Sequence, residues 1–261
     1  MRTVIVTGAS SGIGLATAKL FARSGDKVYD FSRSGCDNDG IFHITCDVTD
    51  EESVRNAVSA VIEKEGRIDV LVNNAGFGIS GAAENTDTAK ARKQFDVNFF
   101  GTFNVSKAVI PFMRDRRSGV IINISSMAAP LAIPFQLFYS ASKSAINSLT
   151  LALANEVRPF GIKVCAVMPG DVKTGFTAAR EKDGDSGVYA SVLSKSVSTM
   201  EHDEENGMSP DEIAKAVFKL SLKKNPKPLS TVGFQYKAFA VLAKALPTRA
   251  VNYIIGQLYA K

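Results

Sequence analysis

The sequence predicts an α/β fold, a doubly wound parallel sheet covered by helices on both faces. Two observations carry this. Short β-rich apolar runs alternate along the chain with longer stretches at helical spacing, the signature of strands joined by helical crossovers. A glycine-rich turn, Thr7 to Gly14, stands between the first strand and the first helix, where such folds bind phosphate.

Thr3–Val6 is the first strand. Ile13–Ser24 follows as a helix, with Ile13, Ala16, Thr17, Leu20 and Phe21 on one face. Val28–Phe31 and Ile41–Thr45 are the second and third strands. Only about ten residues around Ser32–Gly40 join them, short for a parallel crossover. Their Ser-Gly-Cys-Asp-Asn-Asp-Gly composition reads as a loop or a single turn. Glu51–Glu65 is a helix through Val54, Ala57, Val58, Val61 and Ile62, and Val70–Asn73 the fourth strand. Ala89–Asp115 reads as one or two helices, Val120–Ile124 as the fifth strand and Ser140–Val157 as a helix stopped by Pro159. Lys163–Val167 is the sixth strand. Residues 175–210 are weakly patterned, carry Gly184, Gly187 and Gly207 among many charges, and are expected to form a mobile flap. Residues 1–225 are expected to form one cofactor-binding and catalytic domain, with 226–261 a basic amphipathic extension packed on it.

A chain of 261 residues with 45% hydrophobic side chains can bury a substantial core. No run approaches the roughly 18 apolar residues of a membrane span. The N-terminus enters a strand without the pattern of a signal peptide, so a cytoplasmic location is expected. Cys36, Cys46 and Cys165 form no CxxC pair and read as free thiols; His43 and His202 have no metal-ligand spacing, so no metal is expected. After Glu212 the chain has nine lysines and arginines and no acid, which leaves −4 of the net +5 on the first 212 residues. That basic tail carries no nucleic-acid motif, and no nucleic-acid partner is expected.

In Thr7-Gly8-Ala9-Ser10-Ser11-Gly12-Ile13-Gly14 the glycines allow a tight turn and a close backbone approach, and the helix N-terminus offers free N–H groups to a diphosphate. The spacing is GxxxGxG rather than GxGxxG. With Asp47-Val48, Asn73-Asn74-Ala75-Gly76, Asn98, Ser126, Tyr139 with Lys143, and Pro169-Gly170 with Thr174, the order of motifs resembles the short-chain dehydrogenase/reductase family from residue 3 to about 180. The resemblance implies a Rossmann-type sheet of about seven strands with the cofactor along the strands' carboxyl ends. It assigns Gly8, Ser10, Ser11, Gly12, Ile13, Gly14, Asp47, Val48, Asn74, Ala75, Gly76, Pro169 and Gly170 to cofactor binding. Val172 and Thr174 would hold the nicotinamide carboxamide.

Asp30-Phe31-Ser32-Arg33 follows in the position that meets the adenosine ribose. The family's discriminating acid aligns with Ser32, which leaves Ser32 and Arg33 to hold a 2′-phosphate and makes NADP(H) the preferred cofactor. The competing reading puts Asp30 at the ribose and selects NAD(H).

Tyr139 and Lys143 are four apart and share a helix face. Reducing a carbonyl requires a hydride at carbon and a proton at oxygen. A phenol titrates near 10, and an adjacent ammonium is expected to bring it toward neutrality. Tyr139 is then the proton donor, and Ser126, just past the fifth strand, polarises the substrate carbonyl; Ser125 is read as structural. By resemblance, Lys143 also holds the ribose hydroxyls and Asn98 positions a water between Lys143 and solvent. The expected reaction interconverts a ketone and a secondary alcohol.

Phe77–Ser80, Met127–Phe135 and the 175–210 segment are the candidate substrate contacts. Met127, Leu131, Ile133, Phe135, Leu137 and Phe138 make the approach to Tyr139 apolar, which favours a bulky or lipid-like ketone over a sugar. Beyond 225, Phe234, Tyr236, Phe239, Leu242, Leu246, Val251, Ile254, Ile255 and Leu258 make amphipathic segments with lysines between them. The tail resembles those of steroid- and retinoid-type family members. It is expected to roof the substrate pocket; peripheral contact with an anionic membrane is the other reading. A small-molecule ketone or alcohol is the expected partner, in a homodimer or homotetramer. The competing functions are an epimerase on the same fold, a non-enzymatic NADP-binding protein and a membrane-associated scaffold.

Overall fold

The computed structural model describes residues 1–176, 180–182 and 187–260, without the side chain of Lys182. Seven strands lie in one parallel sheet of order β3-β2-β1-β4-β6-β7-β9. They are β1 Thr3–Thr7, β2 Lys27–Ser32, β3 Ile41–Thr45, β4 Val70–Asn73, β6 Gly119–Ile124, β7 Ile162–Met168 and β9 Leu229–Thr231. A separate pair, β5 Ile79–Ser80 and β8 Glu181–Lys182, lies beyond the sheet's carboxyl edge. The order reverses at β1, with β2 on one side and β4 on the other, and ligands of doubly wound sheets bind at such a switch point.

Alternation along each strand sends side chains to two cores. Val4, Val6, Val72, Ile122 and Val167 face α1 (Gly12–Arg23) and α7 (Pro210–Ser221) through Phe21, Ile213 and Val217. Ile5, Phe31, Leu71, Ile121 and Val164 face α2 (Glu51–Glu65) and α4 (Gly101–Asp115) through Val58, Val105 and Val109. Both faces are covered, so the inner strands are continuously apolar rather than alternating.

The run expected as one or two helices is α3 (Thr88–Phe95) followed by a π-helical turn, Asp96–Phe100, and α4. The β2–β3 connection is a loop, closed by an isolated bridge between Asn38 and Ile41. The expectation of a patternless flap over 175–210 fails in its second half. Residues Ala190–Glu205 form helix α6, whose Leu193, Val197 and Met200 are buried against Ile133, Phe135 and Tyr259. Ser191, Ser194, Ser196, Ser198 and Thr199 around that stripe are weak helix formers and obscured it in the sequence. Residues 177–179 and 183–186 of the expected flap, Gly184 among them, lie outside the described residues.

Leu229–Thr231 pairs with β7 as the last strand, so the chain leaves the sheet only at α8 (Phe234–Ala245), followed by α9 (Thr248–Tyr259). Among the described residues no helix is long and apolar enough to cross a membrane.

Candidate active site

A cavity of about 1070 Å³ runs along the carboxyl ends of β1, β2, β4, β6 and β7. Gly8, Ser10, Ser11, Gly12 and Ile13 form one end, and Ser32, Arg33, Asp47 and Val48 the ribose side. Asn74, Ala75, Gly76, Ser126, Tyr139, Lys143, Pro169, Gly170, Val172 and Thr174 continue it. Of the residues assigned to cofactor binding or catalysis, only Gly14 and Asn98 stand behind the wall.

The cradle is built by backbone constraint. Gly8 has φ +65°, in the left-handed region. A Cβ at Gly14 would lie 2.2 Å from the Gly8 carbonyl oxygen, so only glycine lets α1 start this close to β1. Asn74 locks the turn from behind: its Nδ2 donates to the carbonyls of Thr7 (3.0 Å) and Gly8 (3.1 Å). The Thr7 hydroxyl oxygen accepts from the N–H groups of Asn74 and Ala75, each at 2.9 Å. Ser11, at the head of α1, is extended and makes no side-chain cap. The first-turn N–H groups therefore remain available to an anion.

Asp30 does not face the ribose. Its carboxylate is buried and accepts from Ala9 N–H (2.8 Å) and from the Ser32 hydroxyl (2.7 Å), with His43 Nδ1 at 3.2 Å. It braces the glycine turn. The same contacts correct the reading of Ser32 as free to hold a phosphate, because its hydroxyl hydrogen is committed to Asp30 or to the Ser34 carbonyl at 3.0 Å. Arg33 is exposed on the cavity wall. Burial raises the Asp47 carboxyl, but Thr49 donates to it twice and Arg33 adds its positive charge, and together these hold it below the usual carboxylate range.

Tyr139 and Lys143 stand one turn apart on α5 (Leu137–Glu156). A polar ladder sets that helix. Asn73 Nδ2 donates to Ser106 Oγ and to Asn123 Oδ1, and Asn123 Nδ2 donates to Thr150 Oγ1, all at 2.9 Å. It ties β4, α4, β6 and α5 together. Ser125 Oγ donates to the Lys143 carbonyl at 3.2 Å, a structural contact.

Lys143 Nζ is buried, donates to the Ile124 carbonyl at 2.9 Å and lies 5.7 Å from the Tyr139 ring centroid. Burial pushes this ammonium down to about 8. Tyr139 is pushed up to about 12 by burial, against a lowering hydrogen bond with Ser126. Glu204 and Asp171 raise it further, and Arg180 lowers it. The expected lowering by Lys143 is not among these influences; its Nζ donates to the Ile124 carbonyl instead.

Asn98 sits in the π-helical turn, fully buried. Its Oδ1 accepts from Phe77 N–H (3.0 Å), and its Nδ2 donates to the Phe77 carbonyl (3.0 Å) and to Ser142 Oγ (3.1 Å). The side chain is a brace between α5 and the loop after β4. A π-turn of this kind often marks a functional position.

The substrate end is held by contacts that the sequence did not specify. Phe176 lies 5.6 Å from the Tyr139 ring. Arg180 is buried against Phe176 and ion-paired to Glu204. Tyr236 of α8 donates to Asp171 Oδ2 at 2.6 Å and packs over Gly170, and Tyr259 of α9 is hydrogen-bonded to Asp203. These contacts join segments far apart in the chain, and no local spacing announces them. Of the apolar residues before Tyr139, Met127, Leu131 and Ile133 line the cavity. Phe135 instead packs against Tyr189, 6.4 Å between centroids, and Leu137 is exposed. Phe239, Leu242, Leu246, Val251, Ile254 and Leu258 form the cavity's far wall.

A parallel sheet with a glycine cradle at its switch point, and a serine, tyrosine and lysine farther along one cavity, define a nucleotide-binding oxidoreductase. The chain belongs to the short-chain dehydrogenase/reductase family, since the family described as short chain dehydrogenase matches residues 2–185. It is 43% identical over 262 residues to the 3-ketodihydrosphingosine reductase of Bacteroides thetaiotaomicron, covering 98% of this chain and 97% of that one. The crystal structure of a short-chain dehydrogenase from Streptomyces avermitilis superposes with a TM-score of 0.84 at 32% identity, covering 94% of this chain and 92% of that one. ElxO with NADP bound superposes at 0.77 with 28% identity, covering 91% and 99%. As a family member the protein is an oxidoreductase acting on alcohol or ketone groups of small molecules with a nicotinamide dinucleotide, NAD(P)(H).

Proposed function

We propose that the protein is an NADPH-dependent reductase of a long-chain ketone, of the kind represented by 3-ketodihydrosphingosine. The observation that carries this is the cavity's far wall. Residues of α8 and α9 close the space beyond Tyr139 with aliphatic and aromatic side chains, which suits an alkyl chain and not a sugar. The near full-length similarity to a 3-ketodihydrosphingosine reductase points the same way.

The cradle fits a dinucleotide: an open helix N-terminus for the diphosphate, and Arg33 on the ribose side with Asp30 turned inward. When bound, NADPH supplies the hydride. Ser126 orients the carbonyl oxygen, and Tyr139 delivers the proton to it as the secondary alcohol forms. Lys143 holds positive charge beside the phenol, and Asn98 braces the α5 segment that carries both. The exposed Phe100 of the π-helical turn, Phe103 of α4 and Leu151 of α5 support a homo-oligomeric assembly.

Purified protein should oxidise NADPH with 3-ketodihydrosphingosine and yield the 3-hydroxy product. Reduction confined to short acyl thioesters or to sugars would defeat the substrate reading. The cofactor preference has its own test. Arg33→Ala should narrow the advantage of NADPH over NADH in kcat/KM by roughly 10- to 100-fold, the loss of one charge-assisted hydrogen bond of about 1.5–3 kcal/mol. A wild-type preference for NADH would reject the phosphate role of Arg33.

Lys143 makes a pH prediction. Alcohol oxidation needs the phenolate; Tyr139 stands near 12 while Lys143 Nζ is turned to the Ile124 carbonyl, and we assign the ammonium's lowering effect on the phenol to the cofactor-bound state. Lys143→Met should therefore move the rising limb of kcat/KM for alcohol oxidation to higher pH and weaken cofactor binding. A pH profile identical to wild type would remove Lys143 from the proton path.

A further inference from the structure

We infer that the outer face of α8 and α9 is a docking surface for an anionic lipid bilayer, with the cavity mouth turned toward that bilayer. On α8, Phe234, Lys237, Val241 and Lys244 follow one another at spacings of three and four, so they form a single stripe. That stripe faces away from the protein: Phe234 is 90% exposed and Val241 68%, and both lysines are exposed. The opposite side of the helix is spent on packing, with Tyr236 and Ala240 against Met127 and Met168. On α9, Tyr253 is 66% exposed beside Ile254 and Leu258, which are exposed and also line the cavity. Apolar side chains with interleaved cations are what an interfacial helix presents to lipid headgroups.

Charge selects this occupant over a second copy of the chain. The helices α8 and α9 carry three cations, Lys237, Lys244 and Arg249, and no acid. A two-fold contact through this face would set like charge on like charge, whereas an anionic bilayer complements it. The rim joins the surface to the chemistry, since Leu242, Ile254 and Leu258 are both cavity wall and exposed apolar surface. An amphiphile could pass between bilayer and cavity without its chain crossing water.

The test is flotation of the full-length protein with vesicles of phosphatidylcholine alone or mixed equally with phosphatidylglycerol. The protein should float with the anionic vesicles at low salt and be released by high salt, which screens the attraction. Phe234→Asp combined with Val241→Asp should reduce partitioning at least tenfold. Lys237→Gln combined with Lys244→Gln should reduce it about fivefold per charge, while Lys237→Arg with Lys244→Arg should preserve it and controls for folding. None of these four residues lines the cavity, so turnover of a short water-soluble ketone should persist in every variant. Failure of the wild-type protein to float with anionic vesicles would overturn the inference, as would equal flotation by all variants. A dimer that Phe234→Asp with Val241→Asp dissociates, without flotation of the parent protein, would assign the face to self-association and overturn it too. Flotation is read without substrate. A protein that floats yet leaves a long-chain ketone unreduced would refute the proposed substrate and leave the docking intact.

Discussion

Tyr139→Phe should lower ketone reduction by about 10²–10⁴-fold, the range that general acid–base catalysis contributes. The substitution removes only the hydroxyl. The ring contact with Phe176 at 5.6 Å can persist, and so can the packing of α5 on the sheet. NADPH binding, followed by fluorescence, should therefore be nearly unchanged. That separates a lost proton donor from a damaged pocket. Turnover within a few-fold of wild type would show that another group protonates the substrate oxygen, and the proposed mechanism would fall.

Ending the chain after Gly233 should be almost as damaging for long-chain substrates. The truncation keeps β9 in the sheet but removes α8 and α9, and with them the far wall of the cavity. Tyr236 and Ile255 are the buried side chains of those two helices. Their burial contributes on the order of 3 kcal/mol, so Tm should fall by roughly 5–10 °C. KM for a long-chain ketone should rise at least tenfold, with a much smaller change for a short one. Unchanged Tm and unchanged KM for the long substrate would mean that the helices do not roof the site.

The two outcomes are linked by how little holds the roof. The hydroxyl of Tyr236 reaches Asp171 and that of Tyr259 reaches Asp203, while most remaining apolar surface of α8 and α9 is exposed. Burial and the neighbouring Asp171 charge raise the Asp203 carboxyl above its ordinary value.

The sheet and cradle were legible in the sequence because their determinants are local. The β-rich apolar run Val4-Ile5-Val6 already states a strand at that place. The separation of Gly8 and Gly14 states where a helix must come within van der Waals contact of a strand end. The tyrosine and lysine of α5 are legible for the same reason, one helical turn apart. Helix α6 was not, because its buried stripe of Leu193, Val197 and Met200 is set among serines and a threonine, which are weak helix formers.

Tertiary structure decided what each polar group is free to do. Asp30 and Ser32 are two residues apart on one strand, and spacing alone leaves either able to meet a ribose. The glycine turn, which offers Ala9 N–H, and His43 from β3 claim the Asp30 carboxylate, and Asp30 in turn claims the Ser32 hydroxyl. The ionisation of Tyr139 depends on Glu204, Asp171 and Arg180, which come to it from distant segments. The tail was readable as amphipathic, but which of its apolar residues close the cavity and which face outward depends on where α8 meets Gly170 and Met127. Periodicity records that a helix has a buried side; only the packed chain determines what that side is buried against.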